Sequence, residues 1–138
     1  MNGRMKTSEI MGNVTDAKKV TRIGHNTVRW LGQDDAERIR YTHTDILTHK
    51  PDGTWFFNSG GWRTVNTLKR MNEFGPVRMW QKKRVWYASK DGSEPIVLFA
   101  DGMTWHPDRG FEGTGTPLDK ALIKKIKAYS QSLDCSVA

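Results

Sequence analysis

Short apolar runs separated by turn residues dominate the middle of this 138-residue chain. Pro51-Asp52-Gly53, Asp91-Gly92 and Asp101-Gly102 are turn signals, because Pro presets φ at the first corner of a turn and Gly accepts a positive φ. Such spacing predicts antiparallel strands joined by hairpins. The runs that predict strands are 26–31, 39–49, 54–58, 77–81, 84–88 and 95–100. The runs 77–81 and 84–88 predict a hairpin around Lys82-Lys83.

Two segments carry helix signals. Thr64 is placed to N-cap a short helix near 64–74, which Gly75-Pro76 ends. Thr116 and Pro117 begin a C-terminal amphipathic helix near 117–133, which either packs on the sheet or serves as a contact arm. The predicted fold class is therefore α+β, with an antiparallel β-sheet of about five to seven strands.

The length favours one domain with one hydrophobic core. Residues 1–20 lack a sustained apolar period, so we expect a flexible or loosely docked N-terminal arm outside the core. Residues 21–138 then form a single α+β domain. The expected core residues are Val28, Trp30, Ile46, Trp55, Phe57, Leu68, Met71, Val85, Val97, Phe99, Leu118, Leu122 and Ile126.

The sequence lacks the motifs that are typical of several functional classes. The single cysteine, Cys135, fits a reducing cytosol, and no apolar run reaches the ~18 residues of a membrane span. The motifs G-x-x-x-x-G-K-[ST] and G-x-G-x-x-G after a strand are absent, which argues against nucleotide hydrolysis and dinucleotide binding. We expect a cytoplasmic protein that is not an enzyme, with no catalytic residue, no cofactor and no metal.

One alternative centres on histidines in the predicted strand 39–49. Strand alternation places His43, Asp45 and His49 on one side, where they would share a metal or a proton. A zinc site needs three or four close ligands, and His25 and His106 are remote in sequence. An enzyme centred on His43, Asp45 and Asn58 is therefore the least favoured function.

The net charge of +7 arises from 22 Lys and Arg against 15 acids and favours a polyanionic partner. In V-R-M-W-Q-K-K-R-V-W-Y-A-S-K (residues 77–90) cations alternate with aromatic rings. Cations follow a phosphate backbone and flat rings stack on unpaired bases, which favours single-stranded nucleic acid. Alternatively, the tryptophans are core residues and the cations a solvated rim.

Gly60-Gly61 precedes the first predicted helix. We expect positive φ in at least one of these glycines, and two interpretations are open. Free backbone N–H groups beside Arg63 would form a weak anion-binding nest, or the glycines would form a tight turn that admits Trp62 to the core.

The same candidate residues would serve either of two binding functions. The first function is nucleic-acid binding, with Trp80 or Trp86 stacking on bases; the second is docking on an acidic or nucleic-acid-binding host protein. The candidate residues are Trp62, Arg63, Lys69, Arg70, Arg78, Trp80, Lys82, Lys83, Arg84 and Trp86.

Three neighbouring segments resemble a motif set of small bacteriophage proteins. They are N-S-G-G-W-R-T (58–64), R-Y-T-H-T-D-I (40–46) and N-T-L-K-R-M-N (66–72). The resemblance covers about a quarter of the chain. It implies a phage-encoded accessory protein in the bacterial cytoplasm, either a nucleic-acid (DNA or RNA) handler or an inhibitor of a host defence or transcription complex.

Overall fold

The computed structural model describes residues 3–115, which form two short helices and ten strands. The predicted helix near 117–133, with Leu118, Leu122 and Ile126, lies outside the described residues. The helices are α1 (Thr7–Met11) and α2 (Val65–Phe74). The strands are β1 (Lys19–Gly24), β2 (Thr27–Leu31), β3 (Glu37–Tyr41), β4 (Thr44–His49), β5 (Trp55–Phe57), β6 (Arg78–Lys82), β7 (Val85–Ser89), β8 (Val97–Leu98), β9 (Thr104–His106) and β10 (Gly110–Glu112).

Seven strands form a large antiparallel sheet in the order β1-β2-β3-β4-β5-β9-β10. The predicted turn between β4 and β5 is confirmed: Gly53 has φ 93°, and the backbone N–H of Thr54 donates to Asp52 Oδ1 over 2.8 Å. This bond lowers the pKa of the Asp52 carboxyl, because it favours the charged form. The prediction of one strand over 39–49 was wrong, because the turn at Thr42-His43 divides this run into β3 and β4, which pair with each other. Strands β1 to β5 pair in sequence order, whereas β9 follows β5 in the sheet.

The other three strands form a separate small sheet in the order β6-β7-β8. The predicted hairpin is confirmed, but Lys82 pairs with Val85, so the two-residue loop is Lys83-Arg84. Both loop residues are in the left-handed region, with φ 48° and 66°. A type I′ turn requires positive φ at both central residues, and its twist matches that of the two strands of a hairpin. The sequence predicted one sheet and did not show this division.

The main core joins the large sheet, α2 and the small sheet. Thr64 N-caps α2 by accepting a hydrogen bond from the backbone N–H of Thr67, and Gly75 ends the helix. Its Leu68 and Met71 then pack into the core, as predicted. Of the other expected core residues, Val28, Trp30, Ile46, Phe57 and Phe99 are buried, and Trp55 and Val97 are partly buried.

Val85 is an error of the predicted core, since its side chain is 42% exposed. Its pairing with Lys82 places it next to the turn, on the same face of the small sheet as that lysine. A β-branched residue in a strand therefore does not by itself indicate the buried face.

The exclusion of residues 1–20 from the core was wrong for α1. Ile10 and Met11 are buried against Val28 and Trp30 of β2 in a second apolar cluster. Arg40 Nε donates to the Ile10 carbonyl over 2.7 Å and fixes the helix to the sheet. A five-residue helix is too short for its apolar period to be visible in the sequence.

Candidate nucleic-acid interface

The two faces of the β6–β7 hairpin have different surroundings. Cross-strand pairs share a face, so Met79, Trp86 and Ala88 lie together on the inner face, where all three are buried. The opposite face carries the residues that we call the hairpin surface: Arg78, Trp80, Lys82, Val85 and Tyr87.

Two aromatic rings form the centre of the hairpin surface. Trp80 and Tyr87 are directly paired across the strands, and their ring centroids lie 6.0 Å apart with planes inclined by 25°. Both residues are partly buried. Arg78 and Lys82 follow on either side of Trp80 along the same face. The three strands of this sheet contain no Asp or Glu.

Lys83 and Arg84 are exposed at the tip of the hairpin and extend this run of cations. Trp86, one of the two candidates for stacking, is only 1% exposed, so its ring has no free face for a base. Successive residues of β7 face opposite sides of the sheet, so Trp86 lies on the inner face and Tyr87 lies on the hairpin surface.

A cleft of about 450 Å³ lies at the Arg78 end of the hairpin surface. Its lining includes Asn72 of α2, Arg78 and Asp91. The side chain of Ser93, followed by its backbone N–H, donates to Asp91 and lowers the pKa of that carboxyl. An acidic side chain therefore lines the same cleft as Arg78.

The glycine loop, Asn58 to Thr64, is the second candidate region. Gly60 and Gly61 have φ 66° and 84°, which confirms the predicted positive φ before α2. Ser59 anchors the loop, since its N–H and hydroxyl donate to the Asp101 carboxylate over 2.7 and 3.0 Å.

The anion-nest interpretation of this loop is wrong. The backbone N–H of Gly60 donates to Asn58 Oδ1 over 2.9 Å, and that of Gly61 donates to Ser59 Oγ over 3.2 Å. Both glycine donors are therefore already used within the loop, which leaves neither for a phosphate oxygen.

The alternative, in which the glycines admit Trp62 to the core, is also wrong. Trp62 is 69% exposed, whereas the guanidinium carbon of Arg63 lies 4.5 Å above the Phe99 ring and 5.2 Å above the Trp86 ring. Arg63 Nε also donates to Ser59 Oγ over 3.3 Å. The loop thus directs its tryptophan outward and its arginine onto core rings.

Trp62 borders a small cavity of about 230 Å³. Tyr41 and several hydroxyl side chains, among them Thr44 and Thr64, line it.

Arg70 lies close by, where its Nε donates to Thr27 Oγ1 over 3.1 Å and its guanidinium pairs with Glu73. Lys69 is exposed on α2. The candidate residues therefore fall into two groups, one on the hairpin and one at the start of α2.

The alternative site on β4 is not assembled. Asp45 pairs with Arg40 while Leu47 pairs with Ile39, so a β-bulge at Ile46 reverses the alternation. Asp45 accepts a hydrogen bond from Trp30 Nε1 over 2.8 Å on one face of the sheet.

The two histidines of this alternative are also separated. His43 lies in the β3–β4 turn, and His49 stacks on Trp55 at a centroid distance of 4.0 Å. Within residues 3–115 there is no group of three or more His, Cys, Asp or Glu side chains that could hold a metal.

The chain matches no protein-family model, and neither curated proteins nor solved structures gave a match to it. Within the described part of the chain, none of the helices is long and apolar enough to cross a membrane.

Proposed function

We propose that this protein binds single-stranded nucleic acid through the hairpin surface and the tip residues Lys83 and Arg84. Trp80 and Tyr87 accept the unpaired bases, while Arg78 and Lys82 with the two tip residues contact phosphates. Stacking accepts any base because every base has a π-face, so binding depends little on sequence. A duplex would not offer its bases to these rings.

The backbone at the tip is the observation that carries this proposal. In a two-residue mirror-image turn, Asn-Gly is the unstrained choice, since both residues need positive φ. Lys83 and Arg84 occupy these positions at φ 48° and 66°. Two long cationic side chains at strained positions indicate a function that requires their charge at the tip, because such strain is concentrated at functional sites.

The resemblance of segments 40–46, 58–64 and 66–72 to small bacteriophage proteins supports the biological setting. We infer a phage-type accessory protein that acts in the bacterial cytoplasm on strands exposed during replication, transcription or host defence. The net charge of +7 favours association with such polyanions.

The salt dependence of binding to a random single-stranded oligonucleotide tests this function. Replacing Lys82, Lys83 and Arg84 together with Gln removes up to about three counterion-releasing contacts, so the slope of log K against log salt should flatten by roughly two units. Fluorescence anisotropy at several salt concentrations measures it.

A matched control removes three cations elsewhere. Lys18, Lys19 and Arg29 are exposed near the β1 edge of the large sheet, and their replacement with Gln changes the net charge equally. An equal flattening in both triple variants would show a general charge effect and contradict a site at the hairpin.

Trp80→Ala tests the stacking step. Loss of one stacked base should cost about 1 to 3 kcal/mol of oligonucleotide affinity, with the salt slope unchanged because no cation is removed. Unaltered affinity in a folded variant would reject Trp80 as a stacking residue, even if the tip cations contact phosphate.

A second candidate function is inhibition of a host complex by protein binding. The observation that favours it is the exposure of Trp62 (69%) and Val65 (56%) within four residues of each other. Exposed tryptophans are typical anchors of protein interfaces. Affinity capture from bacterial lysate, with and without nuclease, separates the functions: a protein retained after nuclease and lost in Trp62→Ala favours this one.

A further inference from the structure

A basic cavity lies among residues near the N-terminus, none of which belongs to the hairpin. It has a volume of about 290 Å³ and is lined by Arg4, Arg22, Gly24 and His25. These residues belong to the N-terminal segment, β1 and the β1–β2 turn. No acidic side chain is among these lining residues.

The N-terminal segment is fixed over this cavity by hydrogen bonds. The backbone N–H of Met5 donates to Asn26 Oδ1 over 2.7 Å, and Arg22 Nη1 donates to the Met5 carbonyl over 2.6 Å. Asn26 is only 7% exposed. Two guanidinium groups from distant parts of the sequence thereby share one cavity, a juxtaposition that the sequence alone did not reveal.

These two arginines differ from the other arginines at this sheet. Ion pairs join Arg29 to Glu37, Arg38 to Asp34 and Arg40 to Asp45. The described part of the chain provides no carboxylate partner for Arg4 or Arg22.

Arg22 also has an unused donor. Its Nη2 is buried and has no hydrogen-bond partner among the residues that the structure describes. A charged donor left buried without an acceptor is unfavourable, and native proteins rarely retain one without a reason.

We propose that this cavity is a binding site for a phosphate group. A phosphate offers several charged acceptor oxygens, and guanidinium groups bind them through short, charge-assisted hydrogen bonds. It would neutralise the two arginines that lack a carboxylate partner among the described residues. The site does not depend on the hairpin surface, and its phosphate comes either from a small molecule or from the end of a nucleic-acid strand.

Titration with inorganic phosphate at constant ionic strength, with chloride as the reference anion, tests the site by NMR. We expect saturable shifts confined to the Gly24 and His25 amides and the Arg4 and Arg22 Nε–H signals. Arg4→Gln should weaken phosphate binding by about tenfold, since one charge-assisted contact is lost. Shifts that are absent, or equal with chloride, would overturn the proposal.

Two further variants separate recognition from net charge and folding. Arg29→Gln removes one charge on the neighbouring strand, where Arg29 pairs with Glu37, and should leave phosphate binding unchanged. Arg22→Lys keeps the charge but removes the planar fork, so a folded variant should bind phosphate more weakly. Equal weakening by Arg29→Gln and Arg4→Gln would contradict a built site.

Oligonucleotides with and without a 5′-phosphate identify the source of the phosphate. A preference for the phosphorylated strand that Arg4→Gln abolishes assigns the cavity to strand ends; equal affinities, with phosphate binding retained, assign it to a small phosphate compound. The hairpin triple variant should keep its phosphate shifts, so failure of the hairpin proposal and failure of this one are distinguishable.

Discussion

The glycine loop and the hairpin tip both run two successive residues through the left-handed backbone region. Gly60 and Gly61 do so at φ 66° and 84°, and Lys83 and Arg84 do so at φ 48° and 66°. Glycine adopts this backbone without steric cost, whereas a side chain with a Cβ is strained there. The loop therefore uses the relaxed residue, and the tip retains strain together with two cations.

The two regions also use tryptophan in opposite ways. The loop exposes Trp62 and directs Arg63 onto the core rings, while the hairpin buries Trp86 and leaves its cations outside. Local sequences with the same residue types thus give an exposed ring in one region and a core ring in the other. Backbone path and strand register decide between the two outcomes.

The largest expected effect is on the free energy of unfolding, and it separates Trp86 from Trp62. Trp86→Ala should lower the free energy of unfolding by about 3 to 5 kcal/mol, because it opens a cavity among buried side chains. Trp62→Ala should change it by no more than about 0.5 kcal/mol, since most of that ring is already in water. Urea denaturation measures both. Similar losses in the two variants would remove the contrast between core ring and surface ring.

The sequence predicted the features that depend on local chemistry. Pro51-Asp52-Gly53 marked the β4–β5 hairpin, Thr64 and Gly75 marked the ends of α2, and Gly60-Gly61 marked a positive φ. Each of these depends on one or two neighbouring residues, so no knowledge of the remaining chain was needed.

Features that depend on register or on distant contacts could not be predicted in this way. The bulge at Ile46 separates Asp45 from His49, and a one-residue alternation buries Trp86. The burial of Ile10 depends on its contact with Val28 and Trp30 of β2, which are distant in sequence. The cavity of Arg4 and Arg22 likewise exists only after Asn26 holds the N-terminal segment in place.

The next largest effect separates the two glycines of the loop. In Gly60→Ala the new Cβ would lie 2.6 Å from Thr44 Oγ1, whereas at Gly61 a Cβ meets no atom within 4 Å. Gly60→Ala should therefore cost about 2 to 4 kcal/mol, from overpacking added to backbone strain, and Gly61→Ala about 1 kcal/mol from strain alone. Thermal and urea unfolding of the two variants measure the difference. Equal costs would mean that Thr44 does not constrain the loop.

The smallest expected effect relieves the strain at the hairpin tip. Lys83→Asn combined with Arg84→Gly gives the relaxed turn sequence and should raise the free energy of unfolding by about 1 to 2 kcal/mol. The same variant loses two cations, so the salt slope of oligonucleotide binding should flatten by up to about 1.4 units. Lys83→Gln combined with Arg84→Gln is the matched control: it loses the same charges, keeps a Cβ at both positions, and should flatten the slope without gaining stability. If the Asn-Gly variant gains stability and loses no oligonucleotide affinity, Lys83 and Arg84 do not contact phosphate. The proposed interface would then exclude the tip.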